Sequence, residues 1–293
     1  MPRFLQKPYR WAVCWAVALT LFCAFVLLHA FVIPRAGQSV EAPSVSASAD
    51  AQTVLTDTAY EDAHISISIE TVYEYDTAIY IADVQVTDIA YLKAAFADNT
   101  YGRNIRETTS DIAEAAGAVF AVNGDFYGFR DDGFVVRNGV LYRSTARSAD
   151  DDEALVIDSV GDFSIVQESE TNAEGLGAWQ IFSFGPALIE DGEIAVSSVS
   201  EVGQSMTSNP RTAIGQISAL HYLFVVSDGR TDESAGLSLL QLAQVMSDRG
   251  CTVAYNLDGG GSSTMWFNGS VINNPTDGRT SGERKVSDIV YIG

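Results

Sequence analysis

A glycine-rich loop is the stretch of this chain whose residue types are best suited to chemistry. It reads Tyr255-Asn-Leu-Asp-Gly-Gly-Gly-Ser-Ser-Thr264, with one carboxylate, Asp258, ahead of Gly259, Gly260, Gly261, Ser262 and Ser263. Consecutive glycines lose much entropy on ordering, so a loop that keeps them usually needs unusual backbone angles or close approach of another group. A tight turn capped by its own aspartate is the plain alternative. We take Asp258 as the first candidate catalytic residue.

Other polar clusters lie where apolar strands are predicted to end. They are Asn123, Gly124 and Asp125, then Arg211 and Thr212, then Asp228 and Arg230, and finally Asn256 beside the glycine loop. Each cluster alone is compatible with a turn cap or a surface pair. Loops at the ends of strands in a rigid sheet are where functional sites are commonly built. Taken together, the clusters indicate a site at one end of a sheet.

One pattern occurs twice. A helix, a glycine and an apolar strand precede Asn123 and Asp125, and the same order precedes Asn256 and Asp258. The spacing from the glycine is the same in both copies. If the two strands are neighbours, both aspartates face one cleft. Chance recurrence is the alternative, because few positions match.

The residues available restrict the chemistry. His29 lies in the apolar N-terminal run, His64 and His221 lie in strand patterns, and Cys251 stands alone in the rest of the chain. Ser-His-Asp catalysis and histidine- or cysteine-rich zinc sites therefore lose most of their support. Paired carboxylates are typical of glycoside hydrolysis, and arginine is the usual partner of phosphate. Backbone N–H groups of a glycine loop can add a cradle for an anion.

The chain resembles the phosphodiester glycosidase family. The resemblance covers roughly Ile105–Ile292 and is carried by Ala121–Tyr127, Asn209–Gly215, Val226–Arg230, the helix Leu239–Met246 and Asn256–Thr264. The family pattern near Asn123 often reads Asn-Gly-Gly-Phe-Phe, whereas Asp125 and Tyr127 stand here. Asp258 is therefore the stronger catalytic candidate and Asp125 the second.

The resemblance implies hydrolysis of the C1–O bond of a sugar-1-phosphodiester, with no cofactor. Asp258 would act as nucleophile or base, and Asp228 would orient one of the two arginines. The implied substrate-binding residues are Asn123 and Asn256 for sugar hydroxyls, Arg211 and Arg230 for the phosphate, Gly259, Gly260, Gly261, Ser262 and Ser263 around the phosphate, and Gly124 and Thr212 beside them. The implied partner is a phosphorylated glycan.

Two alternatives from other classes remain open. One is a membrane-tethered, non-catalytic glycan-binding module, for which Phe126, Tyr127, Trp179 and Trp266 are candidates to stack on sugars. The other is a metal-dependent phosphodiesterase, in which Asp125, Asp228 and Asp258 would ligate Mg²⁺ or Ca²⁺. A divalent cation is required only in the second alternative.

The elements that must position these residues indicate an α+β fold. We predict a mixed, largely antiparallel β-sheet core with a few helices packed outside. Alternating residues predict strands over His64–Glu70 and Ala78–Val86, and a continuous apolar run predicts a strand over His221–Arg230 that is buried on both faces. Helices are predicted over Thr109–Gly117 and, from a capping box at Ser238, over 239–249. Residues 89–97 fit a short helical turn or a loop equally well.

The N-terminal part predicts a membrane anchor. Residues 11–33 carry no formal charge and are long enough to span a bilayer at about 1.5 Å per residue. Arg3, Lys7 and Arg10 precede them, so the positive-inside rule leaves residues 1–10 in the cytoplasm and the rest outside. A cleaved signal peptide, with a typical apolar core of about 7–15 residues, is the alternative and would give a secreted domain.

The remaining organisation follows from composition. Residues 34–60 are rich in small and polar residues and predict a flexible linker, with the phosphodiester glycosidase-like domain over 61–293. The whole chain has a formal charge of −21, yet its first 35 residues hold four cations and no acid. A body this acidic will not bind nucleic acid nonspecifically. We expect a single-pass plasma-membrane protein whose C-terminal domain is extracellular.

Overall fold

The computed structural model describes residues 8–31, 53–148, 152–196, 206–278 and 280–293. It contains two compact units, Met1–Gly37 and Gln38–Gly293. In the first unit, helix α1 (Pro8–Phe31) covers most of the predicted anchor. Its segment Tyr9–Val26 is long and apolar enough to cross a membrane, a property that signal sequences near the N-terminus share.

The second unit is built mainly of β-strands and two helices. In chain order the elements are β1 (Val54–Leu55), β2 (Ala59–Glu61), β3 (Ile65–Glu74), β4 (Thr77–Val86), β5 (Leu92–Phe96), α2 (Thr109–Ala116), β6 (Phe120–Asn123), β7 (Val135–Arg137), β8 (Val140–Arg143), β9 (Glu153–Asp158), β10 (Phe163–Gln167), β11 (Ala178–Phe182), β12 (Ala187–Glu190), β13 (Glu193–Ile194), β14 (Arg211–Ser218), β15 (His221–Ser227), α3 (Leu239–Ser247), β16 (Val253–Asn256), β17 (Met265–Phe267), β18 (Ser270–Val271), β19 (Thr276–Asp277), β20 (Thr280–Ser281) and β21 (Asp288–Ile292). Short 3₁₀ turns lie at Ile89–Tyr91, Ala97–Asn99, Tyr127–Phe129, Glu168–Glu170, Ala173–Gly175 and Gly260–Ser262.

The strands form one large sheet and two smaller ones. The nine-stranded sheet has the order β1-β2-β3-β4-β15-β14-β16-β12-β13. The five-stranded sheets have the orders β10-β9-β11-β7-β8 and β18-β17-β6-β21-β5, and β19 pairs with β20. Every strand pairing in the described residues is antiparallel. The predicted α+β fold with a largely antiparallel core is confirmed.

The nine-stranded sheet is covered on both faces. On one face, residues such as Ile81 and Val225 pack against the apolar side of α3. On the other, residues such as Val84 and Phe224 pack against the two five-stranded sheets. Residues 222–227 of β15 are all buried, as the apolar run predicted. This packing makes the sheet a rigid base for the loops at its ends.

The domain begins earlier than predicted. Strands β1 and β2 pair in succession with β3 and so extend the large sheet back to Val54, inside the predicted linker 34–60. Strands at the edge of a sheet need few apolar side chains. The composition of this stretch is therefore similar to that of a linker. Residues 32–52, the remainder of that linker, lie outside the described part of the chain.

Candidate active site

The glycine loop follows β16, an interior strand of the large sheet. Strands β14 and β12 flank β16, so the chain that leaves Asn256 emerges between two supported neighbours. The loop then turns at once, with Gly260 at φ +63° and its N–H donating to Pro210 O at 2.8 Å. Asp258 therefore lies at the end of a rigid strand and at the start of a tightly held turn.

Asp258 has a defined set of donors. One carboxylate oxygen accepts from the backbone N–H of Gly259 at 2.9 Å, and the other accepts from Ser262 Oγ at 2.7 Å. The residue remains partly exposed. Desolvation by the surrounding protein raises the pKa of Asp258, and the bonds from Ser262 and Gly259 and the charge of Arg284 oppose that rise. The carboxylate is thus held in one orientation at the surface of the loop.

Each glycine of the loop permits close approach by another group. A Cβ on Gly259 would lie 3.0 Å from Pro210 O, and its next neighbours are atoms of Arg211. A Cβ on Gly260 would lie 3.0 Å from a guanidinium nitrogen of Arg230. A Cβ on Gly261 would lie 2.7 Å from Asp277 Oδ1 and 2.9 Å from Arg284 Nε. The three glycines therefore let three arginines gather around the loop, one beside each.

Two of these arginines were predicted from the sequence. Arg211 is buried, and its side chain donates to the carbonyls of Leu237 at 3.0 Å and Thr207 at 2.9 Å. Burial and the nearby charge of Arg230 lower the pKa of Arg211 to about 10. Arg230 is exposed, and its Nε and one terminal nitrogen donate to the amide oxygen of Asn209 at 3.2 and 2.9 Å. Arg230 is thus the more accessible cation.

The third arginine, Arg284, was not identified from the sequence. Its Nε and one terminal nitrogen contact Asp277 Oδ1 at 3.1 and 2.7 Å, and its backbone N–H donates to Gly261 O. The hydrogen bonds from the Arg284 side chain and the charge of Arg284 lower the pKa of Asp277. The side chain of Arg284 is 40% exposed, so the pair lies open to solvent beside the loop. Neither residue belongs to a recognisable local motif.

The repeated Asn-x-Asp pattern does not mark neighbouring strands. Strands β6 and β16 belong to different sheets, so the condition that the two strands are neighbours in one sheet is not met. The two strand ends nevertheless meet. Asn123 Nδ2 donates to Asp258 O at 2.6 Å, and the N–H of Asp258 donates to Gly124 O at 3.3 Å. The loops that follow these two strands are therefore hydrogen-bonded to each other across the two sheets.

Asn123 and Thr212 are buried within this junction. Asn123 Oδ1 accepts from Thr212 Oγ1 at 2.8 Å and from the N–H of Thr264 at 3.2 Å. Asn256 is also buried and donates to Gly185 O at 2.7 Å. Asn123 and Asn256 are therefore buried and hydrogen-bonded within the loops, and their contact with sugar hydroxyls stays a prediction. They hold the loops in register, and Ser263 beside them is likewise buried.

Asp125 belongs to a buried ion cluster. It accepts from the N–H groups of Tyr127 and Ser183 at 2.9 and 3.0 Å and from Arg137 at 2.9 Å. Arg137 also contacts Asp288 at 2.8 Å, and all three charged side chains are at most 1% exposed. Asp125 is therefore buried and paired with Arg137, and its role as the second catalytic candidate stays a prediction.

Asp228 does not orient either arginine, contrary to the prediction. Its oxygens accept from Tyr80 OH at 3.2 Å, from Asn273 Nδ2 at 3.2 Å and from the N–H of Asn274 at 2.8 Å. Burial raises the pKa of Asp228. The sequence placed Asp228 next to Arg230, yet the chain turns between them, so the carboxylate instead fixes the segment that follows β18.

The proposed metal ligands do not form a set. Among the described residues, no group of three or more histidine, cysteine, aspartate or glutamate side chains is arranged to hold a metal ion. The carboxylate of Asp228 accepts hydrogen bonds from amide and hydroxyl groups, and the carboxylate of Asp125 pairs with Arg137. The structure therefore gives the metal-dependent alternative no ligand arrangement built on Asp125, Asp228 and Asp258.

Sequence comparisons place the chain among known proteins. A sequence model described as phosphodiester glycosidase matches residues 116–293. The SPbeta prophage-derived uncharacterized protein YomE of Bacillus subtilis (strain 168) is 32% identical over 200 residues, which are 66% of this chain and 30% of that protein. The mouse N-acetylglucosamine-1-phosphodiester alpha-N-acetylglucosaminidase is 27% identical over 187 residues, 59% of this chain and 36% of that protein. The aligned region thus spans about a third of each curated relative.

Solved structures share the fold. The catalytic domain of zebrafish N-acetylglucosamine-1-phosphodiester alpha-N-acetylglucosaminidase, auto-inhibited by its pro-peptide, aligns with a TM-score of 0.63 at 21% identity, covering 78% of this chain and 82% of that one. A hypothetical protein from Synechocystis aligns with a TM-score of 0.54 at 15% identity, covering 78% and 62%. At these identities the likeness is one of fold.

Proposed function

Because the chain belongs to the phosphodiester glycosidase family, we propose that it hydrolyses the glycosidic C1–O bond of a sugar-1-phosphodiester. One observation carries the proposal: the Asp258 carboxylate is held in one orientation, and Arg211, Arg230 and Arg284 lie beside the glycines of the same loop. A carboxylate suits the developing positive charge at C1, and arginines suit the departing phosphate. The mouse relative's name specifies N-acetylglucosamine, which is therefore the first sugar to test.

In the proposed reaction, the C1–O bond breaks and its electron pair leaves with the phosphomonoester. A phosphomonoester has a second pKa near 6, so it departs without a strong general acid. Asp258 either bonds to C1 and is displaced by water, or removes a proton from the water that attacks C1. In both routes the hydroxyl of water ends on C1 and its proton is released. Arg230 and Arg284, the more exposed cations, would contact the phosphate.

The buried residues would act through the shape of the loop. Asn123 and Thr212 fix the start of the loop against β14, and Ser262 fixes the Asp258 carboxylate. Preorganised charges and dipoles cost no reorganisation when the reaction occurs. Substitution of these residues is expected to lower kcat through displacement of Asp258 rather than through lost substrate contacts.

We further propose that α1 tethers the domain to the plasma membrane, with the substrate on an extracellular glycan or cell-surface polymer. The basic residues Arg3 and Lys7 before α1 favour this orientation by the positive-inside rule. Fractionation of cells that express the full-length chain tests it. The chain is expected in the membrane fraction and accessible to external protease, and a shortened form in the medium would instead indicate cleavage of the N-terminal segment.

The activity is tested with the full-length chain in detergent and a panel of sugar-1-phosphodiesters. Free reducing sugar and a phosphomonoester are the expected products, and Asp258→Asn is expected to abolish their release. Asp57→Asn is a matched control because Asp57 is exposed on the β1–β2 connection. Sugar-1-phosphate as the product would indicate P–O cleavage and refute the proposal. Saturable binding without turnover on the whole panel would favour the glycan-binding alternative.

A further inference from the structure

Three phenylalanines and one arginine form a partly exposed cluster next to the site. We call Phe126, Phe129, Arg130 and Phe184 the Phe–Arg platform. The Arg130 guanidinium lies 5.5 Å from the centroid of the Phe126 ring and 5.6 Å from that of Phe184. The Phe126 and Phe129 rings stack with centroids 4.7 Å apart. All four side chains are partly exposed, so the platform presents apolar surface and a cation to solvent.

The backbone beneath the platform is held by the buried ion cluster. Ser183, which precedes Phe184, donates its N–H to Asp125 at 3.0 Å and accepts from Arg130 at 3.2 Å through its carbonyl. Asp125 immediately precedes Phe126, so both aromatic segments are tied to one carboxylate. A fixed aromatic surface loses little entropy when it binds a ligand. The buried Asp125 carboxylate therefore positions the backbone of the platform.

The platform lies close to Asp258. The N–H of Asp258 donates to Gly124 O at 3.3 Å, and Phe126 follows two residues after Gly124. Two trans peptide units place the Cα atoms of Gly124 and Phe126 at most ~7.6 Å apart. The contact between Asp258 and Gly124 therefore brings the backbone of Phe126 into the neighbourhood of Asp258.

The segments that hold Arg211 and Phe184 lie on opposite sides of β16. Strand β16 leads to Asp258 and lies between β14, which begins at Arg211, and β12, which follows shortly after Phe184. The arginines beside Gly259, Gly260 and Gly261 suit the phosphate. The sugar ring, on the other side of the bond that breaks, would then extend towards β12 and the platform.

We propose that the Phe–Arg platform is the binding subsite for the sugar ring of the substrate, an inference that rests on the proposed function. The apolar C–H face of a pyranose would pack against the exposed part of Phe126, and Arg130 would donate hydrogen bonds to a ring substituent. Among the described residues, no carboxylate lies within ion-pair distance of Arg130, so its cation is not neutralised locally. The other aromatic candidates, Tyr127, Trp179 and Trp266, are at most 4% exposed.

The test compares substitutions that keep or remove the aromatic ring. Phe126→Leu keeps an apolar side chain of similar volume, and Phe126→Tyr keeps the ring. Phe126→Leu is expected to raise KM for a sugar-1-phosphodiester about three- to tenfold with little change in kcat, the pattern of lost ground-state binding. Phe126→Tyr is expected to restore KM. Leu240→Ala, at an exposed position on α3, is the control and is expected to match the wild type.

A second measurement separates the sugar side from the phosphate side. Inorganic phosphate is the probe, and its inhibition constant is measured for each variant of the full-length chain. The platform predicts an unchanged constant in Phe126→Leu and a raised one in Arg230→Ala. An unchanged KM in Phe126→Leu, or equal shifts in KM and in the phosphate constant, would overturn the platform while leaving the proposed function intact. If the wild type turns over no sugar-1-phosphodiester, the proposed function itself fails.

Discussion

Replacing Asp288 with asparagine is predicted to remove a large part of the pH dependence of stability. Arg137 binds two carboxylates, and they differ in their partners. Asp125 accepts three N–H donors, whereas Asp288 Oδ1 is buried without a hydrogen-bond partner and lies 2.3 Å from where a Cβ on Gly124 would stand. Burial raises the pKa of Asp288 to about 7, with Asp125 and Asp258 adding to the rise and Arg137 opposing it.

The size of the effect follows from that rise. An aspartate whose pKa climbs from 3.8 to about 7 on folding binds its proton more tightly in the native state. Stability that is fully present below pH 3.8 is therefore lost as the pH rises to about 7, where the loss is complete. At 1.36 kcal/mol for each pKa unit, Asp288 accounts for at most about 4 kcal/mol of this loss. Asparagine has the shape of the protonated acid and does not ionise.

Urea unfolding of the wild type and of Asp288→Asn between pH 4 and pH 8 measures this effect, with the buried Trp179 and Trp266 as fluorescent reporters. Between pH 4 and pH 8 the free energy of unfolding of the wild type is expected to fall by up to about 4 kcal/mol more than that of the variant. Asp125→Asn is the matched comparison and is expected to lose about 3–5 kcal/mol at pH 7, because it breaks a buried pair. A difference between wild type and Asp288→Asn that stays constant with pH would refute this reasoning.

The remaining predictions concern the loop itself. Asp258→Asn is expected to lower kcat by at least about 10³-fold with an unchanged melting temperature, as assayed by release of reducing sugar. Because burial raises the pKa of Asp258, which must be deprotonated to act, kcat/KM is expected to fall as the pH drops through that raised pKa, and a flat profile would count against the role. Arg230→Ala is expected to raise KM without lowering the melting temperature, whereas Arg211→Ala is expected to lower both stability and activity, because Arg211 holds two backbone carbonyls. Gly261→Ala is expected to lose activity through a clash with Arg284, whereas Gly175→Ala, with open space around its Cβ, is expected to behave as the wild type.

The sequence predicted elements whose signals are local. The capping box at Ser238 and Gln241 marked the start of α3, and both reciprocal hydrogen bonds are present. The apolar run of β15 was recognised for the same reason, since periodicity needs only neighbouring residues. Residues 89–97 combine a 3₁₀ turn with strand β5, a boundary that short mixed patterns do not resolve.

The parts of the site that depend on long-range packing were not predicted. Arg137, Asp288 and Arg284 lie in unremarkable local sequence, and they reach the site only because β7, β21 and the segment before β21 converge on the loop. Asn123 was identified as polar and near a strand end, but its burial depends on β14 of another sheet. Local sequence identifies which residues can do chemistry, whereas the sheet packing decides which of them face solvent.

Hydrolysis in water enriched with ¹⁸O, with release of Asp258-dependent products followed by mass spectrometry, tests the central proposal most directly. Attack at C1 predicts that the heavy oxygen appears in the reducing sugar and that the phosphomonoester stays unlabelled. Label in the phosphate, or equal label incorporation by the wild type and Asp258→Asn, would contradict a glycosidase centred on Asp258.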